Sequence, residues 1–144
     1  MNSTYLILYH KQSTSARMRF LRLGHGGICG PEALPREASL DDQRGACAAS
    51  RAPKLATHPG MLLRNVEHQL DLPRGSLESD IGFRCQVFVA GAPSDVYLAH
   101  FTSIDPPFEA ADAAGAAFID LTQARALPSV ELSLLRHAYE HVLG

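Results

Sequence analysis

No stretch of this 144-residue chain approaches the roughly 18 consecutive apolar residues that would span a bilayer. The β-forming run Tyr5-Leu-Ile-Leu-Tyr9 is too short for the core of a secretory signal, and no basic residue precedes it. A cytoplasmic protein without a membrane partner is the resulting expectation. Cysteine is scarce: Cys29, Cys47 and Cys85 are widely spaced and form no C-x-x-C pair. An odd count without that spacing speaks against a disulfide scaffold and a structural zinc site, so reduced, packed thiols are expected. Phosphate-binding and hydrolase signatures are also missing. The chain has no G-x-x-x-x-G-K-[ST] loop and no G-x-S-x-G elbow. Lysine is restricted to Lys11 and Lys54.

What is present is unevenly charged. Residues 1–79 carry ten Lys/Arg against seven acids, a net +3, whereas residues 80–144 carry three against eight, a net −5. A mildly basic front and an acidic back suggest two functional halves. The basic excess is compatible with a phosphate-facing surface without requiring one.

The most organised helical stretch is Gly60–Glu78. Leu62, Leu63, Val66, Leu70 and Leu72 fall near the spacing that lines one helix face, with Arg64, Asn65, Glu67, His68 and Gln69 mostly on the other. Pro73 stops the helix, and Gly75-Ser76 redirects the chain so that Leu77 returns to the core. Residues 3–10 are rich in β-formers and fit a strand or a short buried helix equally well. Ser13, Thr14 and Ser15 offer N-caps for a helix over residues 16–23. The glycine-rich segment Gly24–Gly30 would end it in a turn. Two short helices are expected over Pro31–Ala38 and Asp41–Ser50, the second capped by Asp41 and Asp42. Farther on, Phe83–Val89 and Asp95–Thr102 read as strands of a hairpin about the turn Ala90–Ser94. A short helix over Phe108–Ala117, a third strand at Phe118–Leu121 and a last helix starting at Pro128 or Ser129 complete the pattern.

Three constellations have a chemical reading. His137-Ala-Tyr-Glu-His141 has the H-x-x-E-H form, which on a helix places two histidines one turn apart for zinc with Glu140 as base. Its plainer reading is a helix end where Arg136 and the histidines offset the helix dipole. His25 and Cys29 lie in the glycine-rich loop, which reads more simply as a turn between elements. Cys85 in a strand pattern reads as a small core residue, and His100 as a solvent-facing strand residue. No catalytic residue, metal ligand or cofactor is assigned from these patterns.

Residues 16–78 resemble the helix-turn-helix of phage repressor and Cro-type regulators. Arg19–Gly27 is similar to the first helix and its glycine-marked turn, Glu32–Leu40 to the second, and Asp41–Ser50 stands where the recognition helix would be. The likeness is greatest at Asn65–Glu78, with its Leu72-Pro-x-Gly-x-Leu77 exit. The resemblance implies that the helix beginning at Asp41 enters the major groove of double-stranded DNA. Gln43 and Arg44 would lie near base edges, and Arg51 and Lys54 on phosphates. The expected fold is therefore α+β: a small helical, helix-turn-helix-like domain over residues 11–79, then a hairpin-centred α+β unit over residues 80–144 with a C-terminal helix. The expected function is that of a small, non-catalytic DNA-binding regulator, with residues 80–144 binding a partner or forming a homodimer. The alternative is a protein-interaction or small-ligand-binding module that binds no DNA. A third reading is a small hydrolase or metalloprotein using His25, Cys29 or the His137/His141 pair.

Overall fold

The computed structural model describes residues 4–12, 17–30, 33–35, 38–40, 60–80, 83, 85–89 and 92–143. Thr4–Lys11 forms strand β1, and its six central residues, Tyr5 to His10, are all buried. A strand covered on both faces has no polar alternation, which is why local periodicity does not separate it from a buried helix. Met18–Arg22 is β2, antiparallel to β1 with Tyr9 opposite Phe20 and His10 opposite Arg19. The helix expected over residues 16–23 is therefore corrected. Phe20 and Leu21 bury on opposite faces, and pairing to β1 overrides the helix propensity of Met, Arg and Leu.

Cys29–Gly30 is β3 and Ser39–Leu40 is β4. The helix expected across Glu32–Leu40 is corrected where the chain is described: residues 33–35 are irregular, the Ala38 N–H bonds the Pro35 carbonyl at 3.1 Å, and β4 pairs with a later strand. Pro35 has no N–H to give to a helix. The expected recognition helix, with Gln43, Arg44, Arg51 and Lys54, lies outside the described residues.

The rest of the chain supplies helix α1 (Gly60–Gln69), β5 (Leu77–Ser79), β6 (Cys85–Val89), β7 (Ala92–Phe101), α2 (Phe108–Ala113), β8 (Ala117–Ile119), a 3-10 turn at Gln123–Ala126 and α3 (Ser129–Leu143). The eight described strands form one mixed sheet in the order β4-β6-β7-β1-β2-β8, with β3 on β1 and β5 on β7. β1 and β7 run parallel, in register from Thr4 opposite Asp95 to Tyr9 opposite His100. β6 and β7 pair antiparallel, from Cys85 opposite Val96 to Val89 opposite Ala92, as the expected hairpin requires. An N-terminal helical domain is thus replaced by strands, and the expected fold class is corrected to a mixed sheet with a few helices.

Alternation along the strands sorts the core into two layers. Leu6, Leu8, Leu21, Ala99 and Phe101 face α1 and α2, meeting Leu63, Val66, Leu70 and Ala111. Tyr5, Ile7, Tyr9, Phe20, Val96 and Leu98 face α3, meeting Leu134, Leu135 and Ala138. No helix among the described residues is long and apolar enough to cross a membrane. Cys29 is a buried free thiol, while Cys85 is disulfide-bonded, which corrects the expectation of a reduced thiol there.

The connection from α1 to β5 depends on Glu67. The amphipathic pattern puts this residue on the polar face, yet it is buried. Its Oε2 accepts the Gly75 N–H at 3.0 Å and the Leu77 N–H at 2.9 Å, and Oε1 lies 3.2 Å from Arg64 Nε. Arg64 also donates to the Leu77 carbonyl at 3.2 Å. The carboxylate therefore replaces water for two N–H groups that the tight turn leaves without strand partners. Gly75 takes φ of 93°, a left-handed conformation that favours glycine. Glu67→Ala would leave both N–H groups and the Arg64 charge unpaired, and a loss of about 3 kcal/mol is expected by chemical denaturation.

Candidate functional site

Three polar side chains converge where β1 and β7 end. Tyr9 and His100 are directly opposed in the parallel pair, and the alternation that puts Tyr9 and Leu98 in the layer under α3 puts His100 on the same face of the sheet. On the far edge of β7, Glu78 of β5 pairs with His100, and the following Asp80 N–H bonds the Leu98 carbonyl at 2.8 Å. That continuation of the ladder aims Asp80 at the same face. Its Oδ1 lies 2.5 Å from His100 Nδ1, and its Oδ2 accepts the Tyr9 hydroxyl. The Tyr9 and His100 rings are 5.8 Å apart at 50°, and Tyr9 leans on Phe20 from the other side. The arrangement is graded in exposure: the Asp80 side chain is 13 % exposed and that of His100 35 %.

The electrostatics follow from this gradient. The hydrogen bond to Asp80 raises the His100 pKa above its ordinary value; burial opposes this, and the charges of Asp80 and Glu78 add to it. Tyr9 is held firmly in its protonated form, chiefly by burial and then by its bond to Asp80. With Nδ1 committed to the carboxylate, Nε2 is the imidazole nitrogen available for proton exchange. A carboxylate that orients a histidine, with the ring partly open to solvent, is the arrangement used in general acid–base chemistry.

The residues singled out from sequence have other roles. Gln43, Arg44, Arg51 and Lys54 are outside the described residues, so the structure does not place them with this cluster. His25 is exposed, and its Nδ1 accepts the Gly27 N–H at 3.1 Å. Gly27 is needed for a close approach, since a Cβ there would stand 2.5 Å from Glu131 Oε1. That buried carboxylate takes the Ile28 N–H at 2.9 Å and fastens the glycine-rich loop to the start of α3. Cys29 is fully buried, and its thiol pKa is pushed up by desolvation and then by the Glu131 charge, the opposite of a reactive nucleophile. His137 and His141 are exposed on α3, and His141 meets the Phe83 ring edge-on at 5.5 Å. The described residues contain no group of three metal-donor side chains. His100, expected to face solvent, is half-buried and bonded, while Tyr9 and Asp80 carry no motif that marks them as site residues. The available signal was polar residues at alternate positions, Glu78 with Asp80 and then His100, within strands that otherwise bury.

No protein-family model matches the chain, and no curated protein matches it.

Two outcomes follow from these environments. A histidine whose pKa is raised on folding adds stability that is fully present below its unfolded value of about 6.5 and is lost as pH rises through the folded value. Denaturation midpoints of the wild type should therefore fall as pH rises above the ordinary histidine range, and His100→Gln should flatten that decline. Cys29 should stay unmodified by a thiol reagent in the native protein and react once the chain is unfolded, as mass spectrometry of the labelled peptide would show.

Proposed function

We propose that the chain handles a small ligand at the carboxyl ends of β1 and β7, with His100 as a general base or acid acting through Nε2. The observation that carries this reading is the Asp80 Oδ1 to His100 Nδ1 contact of 2.5 Å on an imidazole that remains about one-third exposed. A half-buried carboxylate makes the imidazole more basic and fixes its orientation, while the exposed part of the ring lets a substrate reach it. Open ends of parallel strands are also where α/β sheets commonly bind ligands, because side chains there leave the packed core and stand beside mobile connections.

The reading departs from the regulator and is nearest in class to the small hydrolase, with His100 in place of His25, Cys29 or the His137/His141 pair. Among the described residues, the first two of the helices that a helix-turn-helix requires are strands or irregular chain. Only α1, the supporting helix, has its expected form.

An activated ester such as p-nitrophenyl acetate reports on a basic, accessible imidazole without knowledge of the natural substrate. The wild type should hydrolyse it faster than an equal concentration of free imidazole groups, with a rate that climbs as His100 loses its proton above its ordinary range. His100→Gln should lower that rate roughly a hundredfold, the lower side of what a positioned general base contributes. Equal rates in the wild type and His100→Gln would remove His100 from any such chemistry.

A further inference from the structure

We infer that Tyr9 is the positioning residue of the pair: by donating its hydroxyl to Asp80 Oδ2, it turns Oδ1 toward His100 Nδ1 and fixes the imidazole tautomer that leaves Nε2 free. The inference rests on the acid–base reading of His100.

The geometry allows one direction for each bond. An ionised carboxylate only accepts, so a phenol and an imidazole that both bond it must both donate. Tyr9 keeps its proton throughout the working range because burial and Asp80 both oppose its ionisation. Its O–H therefore occupies Oδ2 at all such pH values, and the carboxylate cannot turn that oxygen toward the histidine. What remains is Oδ1, at 2.5 Å from Nδ1, and the neutral imidazole must carry its proton on Nδ1. Without such a partner, neutral histidine prefers the proton on Nε2, which would leave no lone pair facing outward.

The placement of Tyr9 is equally constrained. β1 puts it opposite His100, the ring packs against Phe20 of β2 at 6.4 Å, and the residue is buried in the layer under α3. The other titratable groups around the imidazole are Asp80 and Glu78, both from the β5 side of β7. The phenol and the carboxylates thus approach from opposite edges of the same strand. Tyr9 sets the angle of a group it reaches across β7, so it acts through Asp80 and not on a ligand.

The test is nitrogen NMR of histidine-labelled protein, which reads tautomer and titration midpoint without any substrate. In the wild type, neutral His100 should carry its proton on Nδ1. In Tyr9→Phe, which keeps the ring packed on Phe20, the proton should move toward Nε2. A wild type with the proton on Nε2, or an unchanged tautomer in Tyr9→Phe, would overturn the inference. Should Tyr9→Phe fail to fold, 3-fluorotyrosine labelling of the wild type serves instead. Fluorination makes the phenol a stronger donor and withdraws charge from Asp80, so the His100 midpoint should fall. A midpoint that does not move would count against Tyr9 in the same way. Neither readout depends on ester hydrolysis, so failure of the acid–base reading would show separately in the His100→Gln rate.

Discussion

The parallel pairing of β1 with β7 is the constraint from which the rest of the molecule is built. Six consecutive residues of each strand are in register, and each strand uses its other edge as well. β7 gives that edge to β6 near residue 96 and to β5 near residue 100. β1 gives its outer edge to β3 at Leu6 and Ile7 and to β2 at Tyr9 to Lys11. Every described strand except β4 and β8 therefore touches one of these two, and those two extend the sheet through β6 and β2. Parallel strands require a long connection, and this pair closes a loop between Thr4–Tyr9 and Asp95–His100 against its entropy. A register slip of one residue would exchange Tyr5, Ile7 and Tyr9 with Leu6, Leu8 and His10 between the two layers. The apolar match on both faces prevents it.

That constraint also decides what local pattern reveals. α1, α3 and the β6–β7 hairpin are legible because each has its own period: near 3.6 for Leu63, Val66 and Leu70, and two for Cys85, Val87 and Val96, Leu98. β2 is not legible, because Met18-Arg-Phe-Leu-Arg22 is a good helical sequence that becomes a strand through its pairing with β1. The likeness to a repressor head rested most heavily on the exit from α1, Leu72-Pro-x-Gly-x-Leu77. In this fold the same residues have a different cause. They form a turn from helix to sheet whose N–H groups at Gly75 and Leu77 end on Glu67. A pattern of helix, proline stop and returning leucine records that the chain reverses after a helix. It does not record what the helix packs against.

The site was legible only in fragments. Asp80 and His100 are twenty positions apart, and Tyr9 is a further 71 from Asp80. No local spacing joins them, since their meeting follows from the β1–β7 register and from β5 lying on the far edge of β7. The histidines and cysteines that stand out in the sequence belong to other tasks. His25 caps the loop at Gly27, Cys29 fills the core, and His141 packs on Phe83. Residue type alone thus favoured the wrong groups, while pairing selected a tyrosine and an aspartate that carry no motif.

The three carboxylates tied most firmly into this fold show why Asp80 differs from the others. Glu67 and Glu131 are both buried, and both accept from backbone N–H groups, of Gly75 and Leu77 in one case and Ile28 in the other. Backbone donors do not titrate or rotate away, so these contacts of the two carboxylates fix a turn and a loop. Asp80 instead spends both oxygens on side chains, a phenol and an imidazole, and one of those is half-open to solvent. Its environment can take up and release a proton while the strands stay in place. The proposed chemistry lies at Asp80 and His100 because there a half-buried carboxylate is held against an imidazole that can change state, on a scaffold that cannot.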